Sequence, residues 1–319
     1  MLGKCYFGFE VKWFINNAFV ALEYNSYFRE LFCNTQVSKN LGLSLKEKIF
    51  LLVARMPGKW SKFCPSYLRE YSYTVNKIIS LGGTIDYEHR VVLVNFQKAQ
   101  FKLRLGSTDF LVFDQVILEE EYAPVIKLIK ENTAQLNEFN IIDAGANVGF
   151  ASLYFSKSFP RSTIISIEPD RSNFNALQGN IEKNELTQCV FPLNGGIWGK
   201  TCKLNLANSF RDGREWSLNL EETKANEQGM IDAFSLEDLL KKYTFATIDF
   251  LKIDIEGGEK NLFDYWSIDH SVLKRVKFLA IEIHDEMADR THISSVLKQS
   301  GFTLTEINET TFGVNMDFV

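Results

Sequence analysis

A short glycine-containing segment, Asp143 to Gly149, carries residue types whose chemistry can be stated directly. It lies between an apolar run that predicts a strand and a pattern that predicts an amphipathic helix. Gly145 lets the backbone turn and approach a ligand closely, and free N–H groups at a helix start favour a carboxylate or a phosphate. Asp143, at the strand end, would repel a pyrophosphate but attract an ammonium group. The segment therefore predicts a nucleotide-like cofactor of mixed charge.

Two classes of nucleotide cofactor compete for this segment. A dinucleotide fingerprint has the spacing GxGxxG, whereas Asn147 stands at its second glycine position here. S-adenosylmethionine carries an α-carboxylate, an α-ammonium and a sulfonium, so it suits a loop that offers both amides and carboxylates. The loop thus favours S-adenosylmethionine, and an NAD-dependent oxidoreductase is the weaker alternative.

A second acidic residue follows the next predicted strand. Glu168, in Ile167-Glu168-Pro169, falls where a carboxylate can accept hydrogen bonds from both hydroxyls of a ribose, each contributing about 1.5–3 kcal/mol. After the third strand comes Asn194-Gly195-Gly196-Ile197-Trp198, which either flanks an adenine ring or forms a plain turn with a core tryptophan. The residues predicted to bind the cofactor are Asp143, Gly145, Ala146, Asn147, Gly149, Glu168, Pro169, Gly196, Ile197 and Asp254.

Charged residues alternate along a later apolar run. Strand periodicity places Lys252, Asp254 and Glu256 on one face, with Asp254 at the carboxyl end of the strand, over the methyl group of a bound cofactor. A lysine inside a buried strand needs a partner. Lys252 is therefore expected either to pair with Asp143 or Glu168 or to extend its amine to solvent.

His284 ends the next predicted strand. With an ordinary pKa of about 6.5, a histidine there is suited to accept a proton near neutrality, so His284 and Asp254 are the predicted catalytic residues. A divalent cation held by Asp254, Asp285 and Glu286 has no spacing rule behind it, and no metal is predicted. Glu259 opens a helix and is expected to cap it.

The elements that must position these residues form a regular series. From Asn140 onward, short apolar runs alternate with helical patterns, which predicts a parallel sheet covered on both faces. At the end, Phe302 to Ile307 and Thr311 to Phe318 leave no room for a helix between them, so they predict a terminal hairpin. The prediction is an α/β fold with seven principal strands, mostly parallel, and an antiparallel C-terminal hairpin.

The first quarter of the chain has a different pattern. Aromatic residues are dense in residues 1–80 at spacings that suit helices, which predicts a helical N-terminal extension. This extension is expected to be structural or to mediate homo-oligomers, with shaping of an acceptor pocket as the alternative. Residues 81–319 form the predicted catalytic domain, with antiparallel lead-in strands over 84–105 and a cofactor-binding core over 109–319.

Composition narrows the class of protein. The 319 residues carry a net charge of −5 without a long basic run, which disfavours a nucleic-acid partner. The five cysteines are odd in number and form no CxxC pair, so a reducing compartment is expected. No uncharged run is long enough for a transmembrane segment, so a cytoplasmic location is predicted.

These motifs together resemble class I Rossmann-like methyltransferases and, more narrowly, the FkbM family. The resemblance covers about Asp109 to Gly301. Its segments are Val112 to Val116 with Glu121-Tyr122, Ile142 to Gly149, Ile167 to Pro169, Ser235 to Leu239, Phe250 to Glu259 and Ala280 to His284. The family usually has a small residue such as alanine where Gly258 stands, a mild departure.

The resemblance implies S-adenosylmethionine-dependent O-methylation of a hydroxyl, often on a sugar or a polyketide. A carbohydrate or polysaccharide precursor is the expected acceptor, and a polyketide or another small molecule is the alternative. A methyltransferase-like binding module without catalysis is a further alternative.

Overall fold

The structure is a computed structural model that describes residues 42–44, 47, 65–133, 138–205, 207–211, 215–219 and 230–318. For residues 205, 207–211 and 215–219 it describes the backbone alone. The chain forms two compact units with their boundary between Glu119 and Glu120.

The first unit contains one long helix and a three-stranded antiparallel meander in its described part. Its elements are α1 Ser66–Ser80, β1 Thr84–Glu88, β2 Val91–Phe96, β3 Ala99–Arg104 and α2 Asp109–Phe113, which continues into a π-helical turn, Asp114–Leu118. The meander confirms the antiparallel strands predicted over 84–105. The other helices predicted within residues 1–80 lie outside the described residues, so the division at residue 80 stays a prediction.

The second unit alternates strands and helices. Its strands are β4 Phe139–Ala144, β5 Ser162–Glu168, β6 Val190–Asn194, β7 Gly196–Ile197, β8 Cys202–Asn205, β9 Ala207–Arg211, β10 Glu215–Asn219, β11 Met230–Phe234, β12 Ile248–Ile253, β13 Val276–Glu282, β14 Phe302–Ile307 and β15 Thr310–Asn315. Its helices are α3 Ala123–Glu131, α4 Phe150–Ser158, α5 Arg171–Lys183, α6 Leu236–Lys242, α7 Glu259–Trp266 and α8 Arg290–Gln299. Two short 3-10 turns, Leu273–Arg275 and Met316–Phe318, complete the unit.

Seven of these strands form one sheet in the order β14-β15-β13-β12-β4-β5-β6. The strands β6, β5, β4, β12 and β13 run parallel, and the hairpin β14–β15 joins antiparallel at the β13 edge. This is the predicted α/β architecture. The order reverses at β4, which lies between β5 and β12, and ligands of open α/β sheets bind at the carboxyl ends of the strands at such a point.

The sequence patterns did not predict the structure between β6 and α6. Here β7 and β8 flank β11 in a small mixed sheet, and β9 pairs with β10. Because β7 has only two residues, it carries no period-two signal that a sequence pattern could reveal.

The two faces of the large sheet differ in character along β12. Leu251 and Ile253 belong to an apolar cluster that also contains Trp266. On the opposite face Phe250 packs edge-on against Phe155, with ring centroids 5.2 Å apart. Lys252 is two positions after Phe250, so strand alternation places its charged side chain on the same face, near the carboxyl end of β12. None of the described helices has the length and apolar character needed to cross a membrane.

Candidate active site

Two groups of polar residues meet at the carboxyl edge of the sheet. The β4–β5 end comprises the loop Asp143 to Gly149 together with Glu168. The β12–β13 end comprises Asp254, Glu256, Glu282 and His284. All these residues follow or end strands β4, β5, β12 and β13, which are neighbours in the sheet.

Lys252 joins the two ends through a buried cluster of charges. Its Nζ lies 3.5 Å from Asp143 Oδ1 and 3.4 Å from Asp254 Oδ2, and it donates a 2.8 Å hydrogen bond to the carbonyl of Gly145. Burial lowers the pKa of Lys252, but Asp254 and Asp143 outweigh it and hold the pKa above its usual value. The predicted pairing of Lys252 with Asp143 is confirmed. Lys252 is only 3% exposed, so its amine does not extend to solvent.

Asp143 is completely buried at the end of β4. Its Oδ2 accepts a 2.6 Å hydrogen bond from the hydroxyl of Ser152, which contacts the Ser166 hydroxyl at 2.7 Å. The carboxylate is therefore fixed from α4 and β5 as well as from Lys252. Asp143 supports the loop from behind and presents no surface to solvent.

Gly145 is required by a contact within the chain. Its φ is +76°, and a Cβ there would lie 1.6 Å from the carbonyl oxygen of Asp254. The adjacent Asp254 N–H donates to the Ala144 carbonyl at 3.1 Å. The sequence predicted that Gly145 lets the backbone come close to a ligand. In the structure, Gly145 instead lies close to the backbone that follows β12.

The loop N–H groups have partners, contrary to the expectation that they are free. Those of Gly145 and Ala146 donate to the Ile167 carbonyl at 3.0 and 2.9 Å. The Asn147 N–H donates to Glu168 Oε2 at 2.9 Å, and Asn147 has a φ of +50°. Because β5 ends beside the loop, its last two residues, Ile167 and Glu168, accept the hydrogen bonds of these N–H groups. The loop is rigidly held, and its main chain at these three positions offers no vacant donor.

Glu168 is 5% exposed and accepts two main-chain hydrogen bonds, from Asn147 and, at 2.8 Å, from Asp170. Burial raises its pKa to about 7 in spite of these bonds. The segment after β6 packs here, since the Asn194 amide donates to the carbonyls of Glu168 and Pro169 at 2.9 and 3.1 Å.

The remaining predicted cofactor residues differ in their surroundings. Gly196 has room for a Cβ, whose nearest atom would be 3.8 Å away. Ile197 is 4% exposed and belongs to the apolar cluster of the sheet, which leaves little of its surface for a ligand. Gly149, with φ +88°, begins α4 and packs tightly on Leu177, where a Cβ would clash at 2.5 Å.

His284 lies between two carboxylates. Its Nδ1 is 3.1 Å from Glu259 Oε1, and its Nε2 is 3.3 Å from Glu256 Oε2. Glu256 has a φ of +52°, a strained conformation for a non-glycine residue that functional sites often retain. These two hydrogen bonds raise the pKa of His284 to about 11. The histidine expected to accept a proton near neutrality is thus already protonated there.

Three further residues belong to this edge although sequence patterns did not single them out as functional. Glu259 is completely buried, and besides its contact with His284 it caps the turn before α7 by accepting from the Ile255 N–H at 3.3 Å. Glu282 ends β13, 3.9 Å from His284 Nε2. Glu121 precedes α3, and burial raises its pKa, with Asp254 adding to the effect. Glu121 and Glu282 do lie in the segments that resemble the FkbM family.

The cation site considered from sequence does not assemble. Asp285 is exposed and pairs with Arg290 at 2.8 Å. Asp254, Glu256 and His284 do have ligand atoms within 4.8 Å of one another, yet both ring nitrogens of His284 already face carboxylates. The prediction that the site uses no metal stays a prediction.

The β4–β5 end fits the chemistry of S-adenosylmethionine. Two buried side-chain oxygens near the loop, Asn147 Oδ1 and, after β12, Asp254 Oδ1, have no hydrogen-bond partner among the described residues. Both are acceptors, which suits a group that brings an ammonium and hydroxyl donors. Glu168 adds a carboxylate one strand away.

The chain is similar to known methyltransferases. The family model described as "Methyltransferase FkbM domain" matches residues 143–304. The chain is 25% identical over 193 residues to methyltransferase sdnD of Sordaria araneosa, covering 52% of this chain and 74% of that protein. It is 22% identical over 192 residues to the 31-O-demethyl-FK506 methyltransferase FkbM of Streptomyces tacrolimicus, covering 51% and 72%. The crystal structure of methyltransferase FkbM from Methylobacillus flagellatus KT overlays with a TM-score of 0.36 at 15% identity, over 65% of this chain and 53% of that one.

The strand order and the glycine loop with its carboxylates define a class I Rossmann-like methyltransferase that depends on S-adenosylmethionine. More narrowly, the chain belongs to the FkbM methyltransferase family.

Proposed function

We propose that the protein methylates a hydroxyl group, and that this hydroxyl belongs to a carbohydrate or a polysaccharide precursor. The observation that carries the proposal is the group of carboxylates at the β12–β13 end, because a neutral hydroxyl must lose its proton during transfer. General-base catalysis typically contributes about 10²- to 10⁴-fold in rate.

The residues of the β4–β5 end hold the cofactor in this proposal. When bound, S-adenosylmethionine supplies a methyl group that is already activated on a sulfonium. Asn147 and Asp254 offer unpaired acceptor oxygens, and Glu168 accepts hydrogen bonds from the ribose hydroxyls. Asp143 acts from behind the loop by fixing Lys252. The other assigned cofactor residues are Gly145, Ala146, Gly149, Pro169, Gly196 and Ile197.

Asp254 and His284 orient the acceptor. The raised pKa of His284 keeps it an imidazolium at neutral pH, so it acts as a hydrogen-bond donor and a fixed charge rather than as a base. Asp254 lies between Lys252 and the acceptor, and burial raises its pKa above the ordinary value in spite of Lys252. Positioning of the hydroxyl against the methyl group can itself supply several kcal/mol.

The choice of a carbohydrate rests on the polar character of this edge, since sugars present many hydroxyl donors to carboxylates. The Streptomyces tacrolimicus relative is named as a methyltransferase of 31-O-demethyl-FK506. A polyketide or other small-molecule hydroxyl is therefore the second candidate acceptor.

The test is a radiolabel transfer assay. Purified protein with S-adenosyl-[methyl-³H]methionine would be offered nucleotide sugars, free sugars and oligosaccharides in one set, and polyketide alcohols in another. We expect label in the first set, its loss in Asp254→Asn, and no change in Asp264→Asn, an exposed control on α7. Label in the polyketide set alone would replace the carbohydrate assignment. Cofactor binding without transfer to any acceptor would favour a non-catalytic binding module.

We also propose that residues 1–80 form a helical extension through which copies of the chain associate, and that the protein acts in the cytoplasm. Light scattering on the full chain and on residues 81–319 tests the first point. A mass that is the same multiple of the chain mass for both would contradict it.

A further inference from the structure

Glu282 occupies a fixed position at the carboxyl edge of the sheet. It is the last residue of β13 and pairs in register with Thr310 of β15. Two positions earlier, Ala280 lies opposite Lys252 on β12, so Glu282 shares the face of Lys252 and Asp254. Functional groups on strands are held more precisely than groups on loops.

The carboxylate of Glu282 is also available for a ligand. It makes no hydrogen bond to any described group, its closest cation is His284 Nε2 at 3.9 Å, and its side chain is 32% exposed. In contrast, Asp254 Oδ2 is paired with Lys252 and its Oδ1 is buried. Glu259 is completely buried against His284.

We infer that Glu282 is the general base of the reaction and that the adjacent His284 side chain helps to position it; this inference rests on the proposed O-methylation. As the acceptor oxygen bonds to the methyl carbon, the bond from that carbon to sulfur breaks and its electron pair stays on sulfur, which becomes a neutral thioether. The hydroxyl proton passes to an Oε atom of Glu282 and then to solvent.

The surroundings of Glu282 tune it for this role. Burial, together with Asp254, Glu121 and Glu256, raises the pKa of Glu282 to about 7, and His284 opposes them. The charges from other elements that act on it are Asp254 and Glu256 after β12 and Glu121 before α3. Lys252 on β12 and Glu259 on α7 act on the neighbouring Asp254. Glu282 is therefore ionised and competent above pH 7, and protonated and inactive as a base below it.

Glu121 is the rival carboxylate, because burial raises its pKa as well. It lies in a turn before α3 rather than at the end of a paired strand. Glu121→Gln is therefore the comparison variant, and we expect it to lose less activity than Glu282→Gln.

The first experiment needs no acceptor. Full-length protein labelled with ¹³C at the glutamate carboxyl carbons would be titrated by NMR, alone and saturated with S-adenosylhomocysteine. We expect one resonance that titrates near pH 7 to disappear in Glu282→Gln and to remain in Glu286→Gln, an exposed control four residues away. If the resonance lost in Glu282→Gln titrates below pH 5, the inference is overturned.

The second experiment is single-turnover methyl transfer with an acceptor from the screen above. We expect Glu282→Gln to be about 10²- to 10⁴-fold slower and to lose the rise in rate through pH 7, with unchanged affinity for S-adenosylhomocysteine. Glu282→Asp should retain that rise at a reduced rate. A wild-type rate in Glu282→Gln, or an equally deep loss in Glu121→Gln, would refute the base assignment. Absence of transfer by the wild type to every acceptor would count against the proposed function, while the titration still decides the protonation of Glu282.

Discussion

The two ends of the site differ in how their carboxylates are paired. At the β4–β5 end each carboxylate has nearby donors: Asp143 accepts from Ser152, and Glu168 accepts from two main-chain N–H groups. At the β12–β13 end carboxylates gather around few cations, and Glu282 has no hydrogen bond to a described group. The first end is organised before anything binds, as a binding surface requires. The second retains unpaired charge, which is what proton transfer needs.

Lys252 is the charge on which both ends depend, so its removal should have the largest effect. Lys252→Met leaves Asp143 and Asp254 buried without their cation, and we expect a loss of about 3–5 kcal/mol in the free energy of unfolding. Urea denaturation measures it. Lys260→Met, at an exposed position on α7, should change it by less than about 0.5 kcal/mol. Equal stability of the two variants would mean that the ends are independent.

A side chain at Gly145 would push the two ends apart. Gly145→Ala combines a positive φ with a Cβ 1.6 Å from the Asp254 carbonyl oxygen. We expect a loss of about 2–4 kcal/mol of stability and loss of cofactor binding. Gly82→Ala, where φ is +84° and nothing lies within 4 Å, separates the conformational cost, about 1 kcal/mol, from the collision. A Gly145→Ala loss no larger than that of Gly82→Ala would show that the contact can relax.

The β4–β5 end should show its own pH dependence through Glu168. Its raised pKa of about 7 means that ribose binding needs the ionised form, so affinity for S-adenosylhomocysteine should fall as pH drops below 7. The stability of the fold has the opposite pH dependence. Because the pKa of Glu168 is raised on folding, Glu168 stabilises the folded protein below pH 4.5, and this contribution is lost as the pH rises through 7.

Calorimetry on Glu168→Gln tests this dependence. We expect affinity about 10- to 100-fold weaker at pH 8 and little change with pH, as one or two charge-assisted hydrogen bonds predict. Glu182→Gln, exposed on α5, serves as the control. A variant that keeps the wild-type pH dependence would assign that dependence to another group.

The smallest expected effect concerns the β12–β13 end. Glu259→Gln removes one of the two carboxylates that hold the His284 proton, and we expect the pKa of His284 to fall from about 11 by about 1–3 units. Nitrogen NMR of the imidazole measures it, with Glu286→Gln as the control. An unchanged His284 pKa would show that Glu259 does not hold the proton.

The sequence predicted the frame of this site better than its interior. Strand alternation and the glycine spacing located Asp143, Glu168, Asp254 and His284 at one edge, because such patterns depend on local chain geometry. The state of His284 depends on Glu259, which is 25 positions away, and the loop donors are taken by the end of β5. Contacts between distant segments leave no periodic signal, so the contact of Glu259 with His284 was not predicted.

The contact between the cofactor loop and β12 also constrains how the chain can fold. The hydrogen bond from Lys252 to the Gly145 carbonyl joins residues 107 positions apart. Closing so long a loop costs conformational entropy before any contact forms, so such pairings form late in folding. A chain still lacking β12 has its glycine loop but not the backbone against which that loop is set. Competence to bind the methyl donor is therefore acquired only when the second half of the sheet has assembled.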